Sequence, residues 1–248
     1  MRLNQNLFPA VWPSQIEKGY GFREMAKRYE TLSKTPLMVR GELLTGCIPA
    51  ESGGALHLDG ILSQAVLTAH PCPAQYPKGA AIIPLPLDLL WVNGKGWPLW
   101  ASGDLKPIEN HEGREYWHKR YPAHRAPLGS KLNANTSAGR WREYRMPVKT
   151  VHSTLLTAVC IGNQSEIERL LAYVTHVGKK GSIGYGRIKW TVEKLDGVNA
   201  LDLIHQSKAL PLDYAKQASI TGIYKPTKAW TPPYWYAPNW SDCVEVQA

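Results

Sequence analysis

A glycine-rich segment constrains this chain more than any other feature. Residues 176–190 contain four glycines and four basic residues but no acid. The glycines are Gly178, Gly181, Gly184 and Gly186. Glycine accepts positive φ angles and lets another molecule approach the backbone closely, and exposed N–H groups beside lysines form a concavity suited to phosphate. The segment therefore predicts an anion-binding loop, with an ordinary glycine-rich turn carrying solvated lysines as the alternative.

The flanks of this glycine-rich segment exclude two nucleotide-binding motifs. Apolar residues recur at helical spacing from Ile167 to Val174, and Ser165 and Glu168 have the spacing of a capping box. Residues 187–194 alternate between polar and apolar side chains, which is typical of a strand. A dinucleotide-binding fingerprint needs a strand before its glycines, and a Walker loop closes on Gly-Lys-Ser/Thr. Neither motif fits a helix–loop–strand segment.

The positive charge of the chain is concentrated in two segments. The formal net charge is +9. Residues 111–149 hold nine basic residues against three acids, residues 176–190 hold four against none, and the remainder holds sixteen against seventeen. This concentration predicts that a polyanion binds at a defined site.

Composition limits the class of protein. The chain has 248 residues, enough for one large domain with appendages. We expect a cytoplasmic protein without a membrane partner, because the sequence has neither a run of 18 apolar residues nor an apolar N-terminal signal region. The four cysteines lack metal-ligand pair spacing, so we expect reduced thiols, no metal and no cofactor. They are Cys47, Cys72, Cys160 and Cys243.

The order of predicted elements indicates an α+β protein. We divide the chain into an N-terminal extension (1–36) with one short amphipathic helix, a main domain (37–196) with a basic insertion at about 104–149, and a tail (197–248). The order strand–helix–strands, then strand–helix–strand, is compatible with a ferredoxin-like (RRM-like) βαββαβ fold that carries an insertion. The tail is rich in tryptophan, tyrosine and proline, which predicts neither a helix nor a central strand.

Local patterns place the main elements of this domain. We predict a strand over 37–46, a helix from Leu58 to Ala69, and a further strand over 148–161. Asn93 and Gly94 predict a hairpin turn with a returning strand after it. Regular periodicity is lost over about 104–145, and residues 128–139 have the composition of a long loop. We interpret this insertion as a projecting arm that grips a nucleic-acid backbone.

Two of these features together resemble a known family. The segment Leu56-His-Leu-Asp-Gly-Ile-Leu62, followed late in the domain by the glycine-rich segment, is similar to the RAMP superfamily of CRISPR proteins. Within it, the chain looks most like the Cas-five-type subunit of type IV effector complexes, which binds the 5′ handle of crRNA. The resemblance covers roughly residues 37–194.

The resemblance implies a function and partners. It implies a ferredoxin-like domain with a thumb, acting as a non-catalytic subunit that caps and anchors the crRNA 5′ handle in a type IV CRISPR ribonucleoprotein for antiviral defence. The implied partners are crRNA, the RAMP filament subunit and the large subunit, and target DNA is a further candidate.

The resemblance also implies RNA-binding residues in both basic segments, with solvated surface charge as the alternative. In and beside the glycine-rich segment they are Gly178, Lys179, Lys180, Gly181, Ser182, Gly184, Tyr185, Gly186, Arg187 and Lys189. In the insertion they are Lys119, Arg120, Arg125, Lys131, Arg140, Arg142, Arg145 and Lys149. Tyr185 has two open interpretations, stacking on an unpaired base or packing over its own loop.

Two other groups of residues carry alternative functions. His57 precedes the first helix of the domain, where related RAMP endoribonucleases place a general base, so a metal-independent endoribonuclease is the alternative to a binding subunit. A structural adaptor is the third hypothesis. It depends on the aromatic tail, whose side chains we expect to dock partner proteins. These are Trp230, Tyr234, Trp235 and Trp240.

Overall fold

The chain folds into a mixed α+β structure. The computed structural model describes residues 22–49, 55–70, 82–119, 143–178 and 181–247. The side chains of Pro49, Trp117, Lys119 and Ile183 are outside this description. The helices of the described part are α1 (Phe22–Thr31), α2 (Leu58–Ala69), α3 (Gln164–Leu171), α4 (Ala200–Ser207) and α5 (Leu212–Gln217). The α+β class predicted from the sequence is confirmed.

The strands of the described residues form four antiparallel sheets. In the first half of the chain they are β1 (Thr35–Leu43), β2 (Cys47–Pro49), β3 (Leu56–His57), β4 (Leu89–Val92), β5 (Pro98–Trp100), β6 (Asp104–Ile108) and β7 (His111–Lys119). In the second half they are β8 (Tyr144–His152), β9 (Leu155–Gly162), β10 (Ile188–Lys194), β11 (Leu210–Pro211), β12 (Ile223–Ala229) and β13 (Trp240–Glu245).

The largest sheet has five strands in the order β10-β1-β9-β6-β3. Each pair of neighbours is antiparallel. Along β1, Leu37, Val39 and Leu43 are buried while Arg40 and Glu42 are exposed, so the alternation of the sequence gives the sheet one apolar face. The predicted strands at 37–46 and 187–194 are confirmed as β1 and β10.

Helices α2 and α3 contact each other and supply buried side chains to the main core. The apolar positions of α2 that were predicted from helical spacing, Leu58, Leu62 and Val66, are fully buried. Helix α3 begins earlier than its predicted capping box, because Asn163 is the N-cap and its side chain accepts a hydrogen bond from the Glu166 amide at 3.1 Å.

Helix α1 confirms the amphipathic helix predicted in the N-terminal extension. Phe22, Ala26 and Tyr29 are buried on one face. The Arg28 guanidinium donates to Glu166 of α3, so this helix is attached to the main domain. Residues 1–21 lie outside the described part of the chain.

The C-terminal segment is folded, and the prediction that it contains neither helix nor central strand is wrong. It forms α4, α5 and a three-stranded sheet in the order β11-β13-β12. Pro226 lies on the edge strand β12, whereas Pro232, Pro233 and Pro238 lie between β12 and β13. The central strand β13 therefore contains no proline and keeps its hydrogen bonds.

A second three-stranded sheet, in the order β2-β8-β7, takes in part of the predicted irregular insertion. Strands β7 and β8 pair without interruption from His111 opposite His152 to Lys119 opposite Tyr144. We call this pair of strands the ribbon. The loss of regular structure predicted over 104–145 is therefore wrong for residues 104–119, while residues 120–142, including the predicted loop at 128–139, lie outside the described residues.

Two smaller predictions concern strand boundaries. The hairpin at Asn93 and Gly94 is confirmed as β4 and β5, with the Asn93 Oδ1 atom accepting hydrogen bonds from the Lys95 and Trp97 amides. The single strand predicted over 148–161 is two strands, because the chain breaks at Ser153, whose hydroxyl donates to the Ile108 carbonyl at 2.7 Å.

Candidate nucleic-acid interface

The glycine-rich segment forms a closed loop between α3 and β10. At its base the Val177 amide donates to the Gly186 carbonyl at 2.9 Å, and the Ile188 amide donates to the Thr175 carbonyl at 3.0 Å. Gly178, Gly184 and Gly186 have positive φ angles of 75°, 98° and 67°. The sequence therefore needs glycine here because the backbone turns through the left-handed region.

Gly186 is the position where the loop contacts the rest of the fold most closely. A Cβ atom there would lie 2.0 Å from the Val177 carbonyl oxygen, so no other residue fits. The Gly186 amide also donates to the Cys47 carbonyl of β2 at 3.2 Å. This contact fixes the loop against the sheet that contains the ribbon.

Tyr185 joins the loop to the ribbon itself. Its hydroxyl donates to the Glu115 carboxylate of β7, and this hydrogen bond together with partial burial raises the pKa of Tyr185 to about 12. The Tyr185 side chain thus contacts β7. Its stacking on an unpaired base stays a prediction. The two segments that carry the positive excess therefore meet where Tyr185 contacts Glu115.

The basic residues after the loop lie on an open surface. Arg187 and Lys189 are exposed. In the register of β1 and β10, Lys189 lies opposite Glu42, and the Arg40 guanidinium lies 3.5 Å from Glu193. This part of the sheet therefore carries both signs of charge, with Arg187 next to the loop.

The outward face of the ribbon carries a denser set of basic side chains. Strand alternation places Arg114 opposite Lys149 and His118 opposite Arg145 on this face. The Arg145 guanidinium carbon lies 3.8 Å from the centroid of the Tyr116 ring, which is a cation–π contact. These side chains are exposed, Tyr116 to 43%. The arrangement suits an unpaired nucleic acid, since cations can contact phosphates while aromatic and guanidinium planes can stack on bases.

The structure locates only some of the predicted RNA-binding residues. Gly178, Gly181, Ser182, Gly184, Tyr185, Gly186 and Arg187 are in or at the end of the loop, Lys189 is on β10, and Arg145 and Lys149 are on the ribbon. The remaining predicted residues lie outside the described residues or have an undescribed side chain. They are Lys119, Arg120, Arg125, Lys131, Arg140, Arg142, Lys179 and Lys180.

Sequence reasoning missed three residues of the ribbon surface. Arg114, Tyr116 and His118 lie on the same outward face as Arg145 and Lys149. Their alternation with Glu115 and Trp117 is the period of a strand and could have revealed them.

His57 lies in a different, largely buried cluster. Its Nδ1 atom is 2.7 Å from the Asp104 carboxylate, and its ring stacks on Tyr234 with centroids 3.7 Å apart. The Tyr234 hydroxyl donates to Asp59 at 2.6 Å, and the Lys208 ammonium donates to the same carboxylate. Burial and the neighbouring carboxylates raise the pKa of Tyr234 well above its usual value. The cluster ties the C-terminal segment to the start of α2.

The predicted partner-docking aromatics are divided between the core and the surface. The prediction that Trp230 docks a partner is wrong. Its side chain is 2% exposed and packs against Trp91, so it is a core residue. Tyr234 belongs to the His57 cluster. Trp235 and Trp240 are exposed to 73% and 46%.

The helices of the described residues include none that is both long and apolar enough to span a membrane.

Comparison with known proteins identifies the family. A family model described as CRISPR type IV associated protein Csf3 matches residues 98–245, more than half of the chain. The match includes the ribbon, the glycine-rich loop and the C-terminal sheet, so the tail belongs to the family's shared part. No curated protein matches the chain. The chain therefore belongs to the Csf3 family of CRISPR type IV associated proteins.

Proposed function

We propose that the chain is a non-catalytic, guide-RNA-binding subunit that anchors the 5′ handle of crRNA in a type IV CRISPR effector. The observation that carries this proposal is the meeting of the two basic segments, where Tyr185 contacts Glu115 and Gly186 contacts Cys47. Because Glu115 lies on the face of β7 opposite to the exposed basic residues, one ligand that touches both the loop and the outward face must pass over an edge of the ribbon. Such a ligand must be long and carry many negative charges, as an RNA strand does.

The strand order supports a RAMP-type, ferredoxin-like domain. Taken in sequence, β1, α2, β6, β9, α3 and β10 have the order βαββαβ. Across the sheet these four strands stand in the order fourth, first, third and second. The ribbon leaves this sheet between β6 and β9, which is where a thumb is expected from the resemblance.

Fluorescence anisotropy with labelled CRISPR repeat RNA and the full chain tests this function. The affinity should fall steeply with salt, because each phosphate contact to a single strand contributes about 0.7 to the slope of log K against log salt. Arg145→Ala with Lys149→Ala should lower that slope by about 1.4 and weaken binding. Lys27→Ala with Lys216→Ala, which removes the same charge from exposed positions on α1 and α5, is the matched control.

Two outcomes would contradict the proposal. One is RNA binding that does not depend on salt, and the other is equal loss of affinity in the ribbon variant and its matched control. If the full chain bound no RNA but still joined the effector complex, the structural adaptor would be the better hypothesis.

A metal-independent endoribonuclease is the second candidate, and the contact between His57 and Asp104 favours it. A carboxylate on one imidazole nitrogen orients the ring for general base catalysis. Against this, the Lys208 side chain is only 2% exposed and both it and Tyr234 donate to Asp59, so neither is placed to stabilise a phosphate. Incubation with labelled repeat RNA in EDTA decides between the candidates. Specific cleavage that is lost in His57→Ala would establish the enzyme.

A further inference from the structure

Three potential metal ligands of different chemistry converge where the glycine-rich loop meets the ribbon. They are Cys47 of β2, Glu115 of β7 and His152 of β8, and one ligand atom from each lies within 4.8 Å of the other two. The Cys47 sulfur is 3.7 Å from a Glu115 carboxylate oxygen. We propose that Cys47, Glu115 and His152 bind a zinc ion.

The sheet register explains why these residues meet. Cys47 pairs with His152 across β2 and β8, so both side chains point to the same face. Glu115 lies on the inward face of β7, opposite the buried Val148. Cys47 is 6% exposed, and Glu115 and His152 are half-buried. The site is therefore enclosed, yet its polar groups keep access to the surface.

The imidazole of His152 is held in place by its neighbours. The Thr150 hydroxyl lies 3.0 Å from the imidazole Nε2 atom, and the His111 ring stacks on the imidazole at 4.9 Å. A Cβ atom at Gly113 would lie 2.6 Å from the same nitrogen. Glycine at this position therefore leaves the space that the ring occupies, and positioning of a ligand by surrounding groups is typical of metal sites.

The ligand set favours zinc over harder cations. Sulfur, imidazole nitrogen and carboxylate oxygen are all common zinc ligands, whereas magnesium and calcium select oxygen. Three protein ligands leave a fourth position for water. A cysteine thiolate and a glutamate carboxylate together balance the double charge of the ion.

Hydrogen bonds bring Cys47, Glu115 and Tyr185 together at this site. The Cys47 thiol donates its proton in a hydrogen bond to a Glu115 carboxylate oxygen at 3.7 Å. A zinc ion would take the place of that proton, as metals do when they bind cysteine. The second Glu115 oxygen would still accept from Tyr185, so the ion would fasten the loop to the ribbon.

Cobalt and zinc titrations of the metal-stripped full chain test the site. Co²⁺ should produce a thiolate-to-metal charge-transfer band, and Zn²⁺ should abolish the band by displacement. Cys47→Ser should remove the band, and His152→Gln should weaken binding by more than about 100-fold, since loss of outer partners alone costs about 10–100-fold. Cys160→Ala is the matched control, because Cys160 lies fully buried in the main core and should leave the titration unchanged.

The proposal is overturned if the wild-type chain shows no thiolate band or if Cys47→Ser retains it. Far-ultraviolet circular dichroism verifies the fold of each variant. If Cys47→Ser does not fold, His152→Gln decides, because a titration unchanged by that substitution contradicts the site. Metal binding is measured without RNA, so its failure would leave the proposed function intact.

Discussion

Gly186 and Gly46 share a φ angle of 67° but differ in their surroundings. A Cβ atom at Gly186 would lie 2.0 Å from the Val177 oxygen, whereas one at Gly46 would meet nothing within 4 Å. Gly46→Ala should therefore cost only the left-handed backbone term of about 1–2 kcal/mol. Gly186→Ala should cost about 1–3 kcal/mol more. Urea denaturation of both variants measures the difference.

The same pair separates backbone strain from loop docking. If Gly186→Ala cost no more than Gly46→Ala, the close contact with Val177 would not constrain the loop. RNA affinity should fall together with stability in Gly186→Ala but should stay unchanged in Gly46→Ala, because only the substitution at Gly186 displaces the loop from β2.

Tyr214 makes stability sensitive to alkaline pH. Its burial raises its pKa from 10.0 to about 12, so the folded state holds the proton that the unfolded state loses above pH 10. The contribution of Tyr214 to the free energy of unfolding is fully present below pH 10 and is lost as the pH rises through about 12. Tyr214→Phe should remove about 2 kcal/mol of this loss.

Free energies of unfolding, measured below and above the pKa that tyrosine has in the unfolded chain, test this prediction. Tyr173→Phe is the matched control because the Tyr173 side chain is 49% exposed. If the free energy of unfolding decreased equally with alkaline pH in Tyr214→Phe and in the wild type, the prediction would be contradicted.

At the level of elements, a buried ion pair joins α2 to the segment that follows α4. The Lys208 and Asp59 side chains are 2% and 1% exposed. Lys208→Met should destabilise the fold by about 3–5 kcal/mol, because it leaves the Asp59 charge buried without its partner. Lys225→Met, which removes an ammonium 3.5 Å from Glu245 at the surface, should cost at most about 1 kcal/mol.

A double substitution isolates the role of the buried charge. Lys208→Met with Asp59→Asn should be less destabilising than Lys208→Met alone, because no charge remains buried and the introduced amide oxygen can still accept from Tyr234. Chemical denaturation that shows the double variant to be equally or more unstable would exclude this explanation.

Local patterns predicted the elements better than the contacts between them. Helical spacing predicted α2 (Leu58–Ala69), and the turn at Asn93 predicted the hairpin of β4 and β5. Both patterns depend only on near neighbours in sequence. The position of Asp59 in the first turn of α2 predicts an interaction with the helix dipole, yet its carboxylate binds Lys208, 149 residues away. Neither periodicity nor composition carries that information.

At the candidate site, too, the sequence predicted the local features but not the contacts between distant residues. The charge count located both basic segments, and the glycines located the loop. The cluster of Cys47, Glu115 and His152 was missed because its members come from three strands and have no regular spacing. Strand alternation within β7 could have revealed Arg114 and Tyr116, but the prolines and loop residues nearby obscured it.

At the scale of the whole molecule, the C-terminal segment is part of the core. Leu210, Tyr214, Trp230 and Cys243 all belong to the main buried cluster. Trp230→Ala should therefore cost about 3–5 kcal/mol. Trp235→Ala should change stability by less than about 0.5 kcal/mol, because its side chain is 73% exposed.

The two tryptophan variants also separate folding from docking. Trp235→Ala should keep the melting temperature of the free chain but weaken its recovery with other effector subunits, since exposed tryptophan is common at interface hot spots. Unchanged recovery would remove Trp235 from the docking surface. Similar stability losses in both variants would contradict the assignment of Trp230 to the core.

The position of β1 within the five-stranded sheet has a consequence for biosynthesis. Val39 pairs with Ala158 on one side and with Val192 on the other. Ribosomes add about 5–20 residues per second, so both hydrogen-bonding edges of β1 wait roughly 6 seconds or more for their partners to be made. During that interval the nascent chain exposes the apolar face and both unpaired edges of β1, and its yield in the cell should depend on chaperones that shield such edges.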